Sequence, residues 1–322
     1  AIVTEALTER IVLSDGRATG VVYSRNGTKV TADARREIIL CGGVINSPQL
    51  LMLSGIGPGD HLQQFGIDTL VDLPGVGANL HDHLYTNLVL KVDRTSSINH
   101  RLRGMFAYLE GAKYVLGRTG YLTNGTSETT LFARVLAGAD RPDVQINTRP
   151  MSFDFLRGQI VIGKEPAVTV SICQLRPHSR GEVRLTSRAP QTPPSIIANY
   201  MKEELDRLTM ISGVRMAQAI LGTDPVKSRI RGWLTPERAL DTDDEILDYV
   251  RQTAQSVYHP VGTCKMGQDN LAVVDARLRV RGVKGLRVAD ASIMPVITSG
   301  NTNAPSIVIG EKASDLIRED NR

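Results

Sequence analysis

The sequence predicts an α/β fold of the α+β kind, in which the first and last parts of the chain build one discontinuous domain and the middle builds an antiparallel sheet with helices. Three observations predict it. Short strand-like runs separated by Asp15-Gly16 and Asn26-Gly27 open the chain, and these dipeptides are the ones tight hairpin turns prefer. Runs of alternating character, such as Val168-Thr-Val-Ser-Ile172 and Glu182-Val-Arg-Leu-Thr186, occupy the middle. Near the end, Leu286-Arg-Val-Ala-Asp290 reads as a strand closing on a carboxylate, a position where open α/β sheets present groups to a ligand. The expected domains are residues 1–84, 85–255 and 256–322, the first and third folding together.

Taken in order, residues 10–13, 19–23 and 29–34 form a β-meander, and Glu37-Ile-Ile-Leu40 suits a buried strand entering Gly42-Gly43. Ser47-Pro48 has the pattern of an N-cap followed by proline at the first helical position, and Gly55 stands where a C-terminal cap would, so a short helix is expected over residues 48–54. Residues 73–79 are too rich in glycine for regular structure and close the first domain portion. In the middle, Leu208, Ile211, Val214, Ala217 and Leu221 share one helix face before Asp224-Pro225. Thr242-Asp-Asp-Glu245 is a capping box leading into Ile246, Val250 and Ala254. At the end, Asn303 is an N-cap candidate, Pro305 is tolerated in the first turn, and Ile309, Ala313, Leu316 and Ile317 repeat with helical spacing.

Composition excludes several classes. The 322 residues are 41% hydrophobic with a mean hydropathy of −0.12, enough to bury a large core in more than one unit. No run approaches the roughly 18 apolar residues of a membrane span, so no transmembrane segment is expected. The opening Ala1-Ile-Val-Thr-Glu5 lacks the basic start and apolar core of a secretion signal and reads as the middle of a protein. The net charge is +4, but the 38 basic residues are spread among 34 acidic ones. The densest clusters, Arg101-Leu-Arg103 and residues 227–231, lack interleaved aromatics, so they read as solvated faces and no nucleic-acid partner is expected. Cys41, Cys173 and Cys264 are odd in number and far apart, which fits a reducing compartment without a disulfide framework. The expected location is the cytoplasm, with a peripheral place at a membrane surface as the variant.

Two stretches carry the chemistry: Ser256-Val-Tyr-His259-Pro-Val-Gly-Thr-Cys-Lys-Met-Gly267 and Asp290-Ala-Ser-Ile-Met-Pro-Val-Ile-Thr-Ser-Gly300-Asn301-Thr-Asn303-Ala-Pro305. The first holds a histidine in a Gly- and Pro-punctuated turn; by spacing alone it reads first as a structural turn histidine. The second reads as a strand, a turn and a helix start, whose free N–H groups and partial positive charge favour an anionic group. His81-Asp82-His83 places two imidazoles on one side of an extended chain, but no third ligand follows at useful spacing, so no metal site is expected. Cys264 lacks an activating neighbour and reads as a buried, inert thiol.

These stretches resemble the glucose-methanol-choline (GMC) family of flavin-dependent oxidoreductases, in wording nearest its choline-dehydrogenase-like alcohol dehydrogenases. Further matching stretches are Gly42-Gly43-Val-Ile-Asn-Ser-Pro48-Gln-Leu-Leu-Met-Leu-Ser-Gly55-Ile-Gly57-Pro58, Asp72-Leu-Pro-Gly-Val-Gly77-Ala-Asn79-Leu-His-Asp82-His83, Ser179-Arg-Gly-Glu-Val-Arg-Leu185 and Val288-Ala-Asp290. They follow the family's order along nearly the whole chain. The resemblance implies a discontinuous, Rossmann-like FAD-binding domain that is incomplete here, joined to a substrate-binding domain. The family's opening Gly-x-Gly-x-x-Gly turn, between a strand and a helix, has no counterpart in residues 1–60.

The resemblance also implies site residues. His259 would take a hydroxyl proton as FAD receives a hydride, and Asn301 would be the second catalytic position, where an amide orients the alkoxide but cannot act as a base. Cofactor-binding positions would be Thr8, standing where relatives usually have valine, then Gly43, Asp290, Ala291, Asn301, Thr302 and Asn303. Glu128 falls where relatives border the substrate, although an exposed loop carboxylate is the commoner reading. The expected reaction is oxidation of a primary alcohol to an aldehyde, with oxygen, a quinone or a carrier as electron acceptor. Only 4% of the residues are aromatic, which is little material for a cage around choline's quaternary ammonium. Two alternatives stand beside this reading: an FAD-containing hydroxynitrile lyase of the same family, and an incomplete subunit that needs the missing N-terminal segment, attached or as a partner chain.

Overall fold

A computed structural model describes residues 1–125, 127–156 and 159–321 and is a mixed α/β structure. The chain divides into two compact units. The first comprises residues 1–82, 177–200 and 258–322; the second comprises residues 83–176 and 201–257.

The first unit opens with the antiparallel meander Ala6–Ser14, Arg17–Arg25 and Thr28–Asp33. Ser14 pairs with Arg17 and Arg25 with Thr28, so Asp15-Gly16 and Asn26-Gly27 are two-residue turns, as their composition requires. Ile38–Leu40 pairs in parallel with Leu286–Val288. Their inner faces join Ile11, Leu51, Met52, Val274, Val280 and Leu316 in a single core. Arg287 is buried between these strands and the end of the last helix, where Glu37 Oε2 and Asp320 Oδ2 accept its hydrogen bonds at 2.6 and 2.5 Å. This pairing compensates a charge that burial alone would make costly.

Two helix boundaries differ from expectation. The first helix runs over Gly43–Leu53 with Pro48 inside it, not from Pro48. Ser47 does act as a local acceptor, but its Oγ receives the N–H of Gly42, which places the helix start five residues earlier than expected. At the other end, Asn303 is the first helical residue of Asn303–Asp320 and not its cap. Thr302 takes the flanking position with near-helical φ and ψ, and its carbonyl accepts the N–H of Ser306 at 3.0 Å.

Residues 177–200, expected in the middle domain, belong to the first unit. Gly181 and Leu80 exchange main-chain hydrogen bonds, Val183 donates to the Gly77 carbonyl, and Leu185 sits in the first unit's core. The alternation in Glu182–Arg184 is therefore real, but its buried face packs elsewhere than the middle sheet.

The second unit is an antiparallel sheet ordered Ile230–Thr235, Leu84–Val92, Ala167–Gln174, Val144–Arg149 and Thr129–Ala133, with Gln255–Ser256 also paired to Leu84–Val92. Leu84–Val92 alternates buried and half-buried residues along its whole length, the period of a strand with one face on a core. The Glu204–Leu221 and Asp243–Thr253 helices cover that face through Met210, Val214, Ala217, Ile246 and Val250. Thr242 and Glu245 form the capping box, each side chain accepting from the other's main-chain N–H. The Gly104–Gly117 helix has no counterpart in the sequence reading; no side-chain cap announces it, and Met105, Tyr108, Val115 and Leu116 on one side of it are exposed.

Candidate active site

The segment Asn79-Leu80-His81-Asp82 organises the site. It follows the glycine-rich stretch, and Asn79 takes a left-handed φ of 60°, a conformation asparagine tolerates. The Asn79 side-chain amide donates to the carbonyls of Gly262 and Pro295, both at 3.3 Å, and its Oδ1 accepts from Arg180 Nε at 3.1 Å. The main chains of His81 and Val261 exchange hydrogen bonds of 3.2 and 2.9 Å. His81 is buried, with Nδ1 2.7 Å from the Asn79 carbonyl and Nε2 2.9 Å from the N–H of Ile297. A carbonyl only accepts and a main-chain N–H only donates, so this imidazole is neutral with its proton on Nδ1.

One short segment thus holds both loops that the sequence singled out. The loop of His259 is tied at Val261 and Gly262, and the loop before Asn301 at Pro295 and Ile297. Buried Val261, Met294 and Ile297 pack together beneath them. Farther along, Cys264 and Met266 donate to the carbonyls of Ser292 and Ile293 at 2.9 and 2.7 Å.

His259 and Asn301 meet. Asn301 Nδ2 lies 3.1 Å from His259 Nε2, so the amide donates and Nε2 presents its lone pair. The main-chain N–H of His259 donates to Asp82 Oδ1 at 2.9 Å, and Tyr200 Oη donates to Asp82 Oδ2 at 2.5 Å. Burial pulls the imidazole below its ordinary pKa, and the Asp82 carboxylate opposes that shift. The ring is therefore neutral near pH 7.

The other predicted positions form a second group. Asp290 Oδ2 accepts from the Gly43 N–H at 3.0 Å and from Ser47 Oγ at 2.6 Å, and its Oδ1 accepts from the N–H of Ser292 at 2.8 Å. Asp290, Ala291 and Gly43 are thereby together at the ends of the two parallel strands. Thr8 lines a cavity of about 750 Å3 with residues 38–42, Ser47 and the loop at residues 190–194, and neither His259 nor Asn301 lines it. Thr302 is buried, and Asn301 and Asn303 are exposed at the start of the long last helix. Burial raises the pKa of Cys264 strongly, so its thiol stays protonated. Glu128 is exposed.

Sequence reasoning missed Asp82, Tyr200 and Asn79 as parts of the site. The available signal was the composition of Asn79-Leu80-His81-Asp82-His83-Leu84: polar groups set among leucines in an irregular segment must find internal partners if that segment is buried.

An imidazole lone pair faced by an amide donor, beside the start of an 18-residue helix, is equipment for accepting a proton from a hydroxyl. Residues 1–85 and 177–310 match the N-terminal and C-terminal models of the GMC oxidoreductase family, and the chain belongs to that family, whose cofactor is FAD. It is 40% identical over 319 residues to an oxygen-dependent choline dehydrogenase of Burkholderia pseudomallei (strain K96243), a match covering 99% of this chain and 56% of that protein. Among solved structures, it is similar to formate oxidase of Aspergillus oryzae RIB40, with a TM-score of 0.91 and 30% identity over 98% of this chain and 60% of the other. It is also similar to pyridoxine 4-oxidase from Mesorbium loti, with a TM-score of 0.82 and 25% identity over 98% of this chain and 57% of the other. The chain spans a little over half the length of the curated relatives it matches.

Proposed function

We propose that this chain carries the proton-accepting half of an FAD-dependent oxidation of a primary alcohol to its aldehyde. The observation that carries the reading is the 3.1 Å approach of Asn301 Nδ2 to His259 Nε2, two groups from separate loops. His259 Nε2 accepts the hydroxyl proton, and the Asn301 amide donates to the oxygen as negative charge develops on it. An amide suits this place because it can turn over and offer its oxygen once Nε2 carries a proton, which a second imidazole does only by changing its own protonation. The start of the last helix adds partial positive charge beside the developing alkoxide. FAD, when bound, supplies the two-electron acceptor for the carbinol hydride.

The residues present fit that cofactor. Gly43 has φ +78° with open space where a Cβ would stand, so a ligand can lie against its backbone. Thr8, Cys41 and Gly42 line the 750 Å3 cavity, and Thr302 and Asn303 stand at the helix start. Asp290 and Ala291 would complete the cofactor contacts, Asp290 also fixing the backbone of Gly43. The substrate class is that of primary alcohols. The relative's name argues for including choline among them, and Tyr258, next to His259 and 85% exposed, offers one aromatic face for a quaternary ammonium.

Anaerobic mixing of the complete flavoprotein with a panel of primary alcohols, choline among them, tests the reading. Flavin absorbance should bleach with at least one alcohol, and His259→Asn should slow that reduction by about 10²–10⁴-fold. Persistent yellow colour with every alcohol, together with cyanide release from a cyanohydrin, would replace the oxidation with lyase chemistry.

A further inference from the structure

We propose that Asp82 is a positioning residue for the His259 imidazole: one carboxylate oxygen holds the loop that carries the histidine, while the Tyr200 hydroxyl holds the other. Its catalytic consequence rests on His259 as the proton acceptor; the positioning itself does not.

Oδ1 accepts the main-chain N–H of His259 at 2.9 Å, and Oδ2 accepts the Tyr200 hydroxyl at 2.5 Å. The Asp82 side chain is buried, with 5% of the residue exposed, and hydrogen bonds to an ionised acceptor in such surroundings are the strong kind. The loop needs this hold. Tyr258, immediately before His259, stands at φ +61°, a left-handed conformation that a bulky residue keeps only where its surroundings over-determine it. A bond to the very next N–H fixes the far side of that residue. The two-bond ladder between His81 and Val261 fixes the other end of the same turn, so His259 is pinned between two anchors on one segment.

The arrangement also sets charge. The imidazole faces the neutral Asn301 amide on one side, and the Asp82 carboxylate opposes the effect of burial on it. A group acting only as a mechanical anchor would leave the titration of the ring where it is; a carboxylate that positions and polarises moves it.

Asp82→Asn in the complete, FAD-loaded protein separates these effects, since it keeps the shape and an acceptor for the His259 N–H but removes the charge. The expected result is a kcat lower by on the order of tenfold at nearly unchanged KM, with the acid limb of the rate profile displaced to lower pH. Asp82→Ala loses the anchor as well and should cost on the order of a hundredfold in kcat, and Tyr200→Phe should fall between wild type and Asp82→Asn. An independent readout is the NMR titration of 15N-labelled histidine rings, with His259 assigned through His259→Asn; its midpoint should fall in Asp82→Asn. An unmoved midpoint, whether kcat is unchanged or falls equally in Asp82→Asn and Asp82→Ala, overturns the proposal. A kcat lower in Asp82→Ala than in Asp82→Asn upholds the positioning whether or not the midpoint moves, and a moved midpoint with turnover unchanged in both variants overturns it and removes His259 from the proton transfer.

Discussion

At His259, desolvation outweighs the opposing field of Asp82, so the pKa of the ring lies below its ordinary 6.5. The sign for the proposed proton transfer follows directly. The proton-accepting form is the neutral one, and it is complete above the lowered pKa and lost as pH falls through it. The rate of anaerobic flavin reduction by alcohol should therefore rise with pH to a plateau already reached near neutrality, with its midpoint below 6.5. A midpoint above that value would mean that the group being titrated is not this imidazole. Asn301 cannot produce such a limb, because an amide does not titrate in this range. The residue-level pairing of His259 with Asn301 was legible through family wording and not through spacing, since 42 residues separate the two. Asp82 and Tyr200 were not legible at all: their partners lie 177 and 118 residues away, and one buried carboxylate in a sequence does not say which donors it will find.

The elements that position the site depend on close main-chain approach, and Gly262 is one place where that approach is tight. Its φ is +97°, and a Cβ there would stand 2.4 Å from the Asn79 carbonyl oxygen and 2.9 Å from His81 Cε1. Neither neighbour can give way, because both are engaged in the hydrogen bonds that hold the two loops. Gly262→Ala should destabilise the protein by roughly 2–4 kcal/mol, read as a fall in the denaturant midpoint, whereas Gly300→Ala, with nothing within 4 Å of the added carbon, should stay within about 0.5 kcal/mol of wild type. Equal stability for the two variants would show that the loops do not depend on this contact. The same contrast explains which elements could be read in advance. The Asp15-Gly16 and Asn26-Gly27 turns and the Thr242-to-Glu245 capping box are settled by chemistry within four residues, so the sequence alone places them. The start of the Gly43–Leu53 helix depends on Asp290 Oδ2 taking the Gly43 N–H from 247 residues away, and local propensity pointed to Ser47 instead. The segment at residues 177–200 has a strand's alternation, yet its partners Gly77 and Leu80 are a hundred residues earlier, and periodicity identifies a buried face without saying what buries it.

At the scale of the whole molecule, the parallel pair next to Gly43 and Asp290 has two strands among the described residues. Among the described residues Ile38–Leu40 pairs with Leu286–Val288 alone, and Ile39, in the middle of the first of these, is 41% exposed. A parallel sheet is ordinarily covered on both faces and extended by further strands, because its pairing is less stable per residue and its edges present unpaired N–H and C=O groups. The residues proposed above to contact FAD stand around this sheet: Gly43 and Asp290 at the strand ends, and Thr8 in the adjoining cavity. The Gly-rich turn that grips a pyrophosphate in such folds is not among residues 1–60. Backbone donors supply much of the affinity for a pyrophosphate, and the Gly43 N–H is already given to Asp290. Residues 1–322 on their own should accordingly bind FAD weakly in equilibrium dialysis, with flavin washing out on gel filtration. Joining them to a polypeptide that contributes a strand, a Gly-x-Gly-x-x-Gly turn and a helix, fused or added as a second chain, should convert this to stable retention at one flavin per complex. Tight FAD retention by residues 1–322 alone would show that the strand ends and the 750 Å3 cavity suffice as a cradle, and the sheet would then need no additional strand for function.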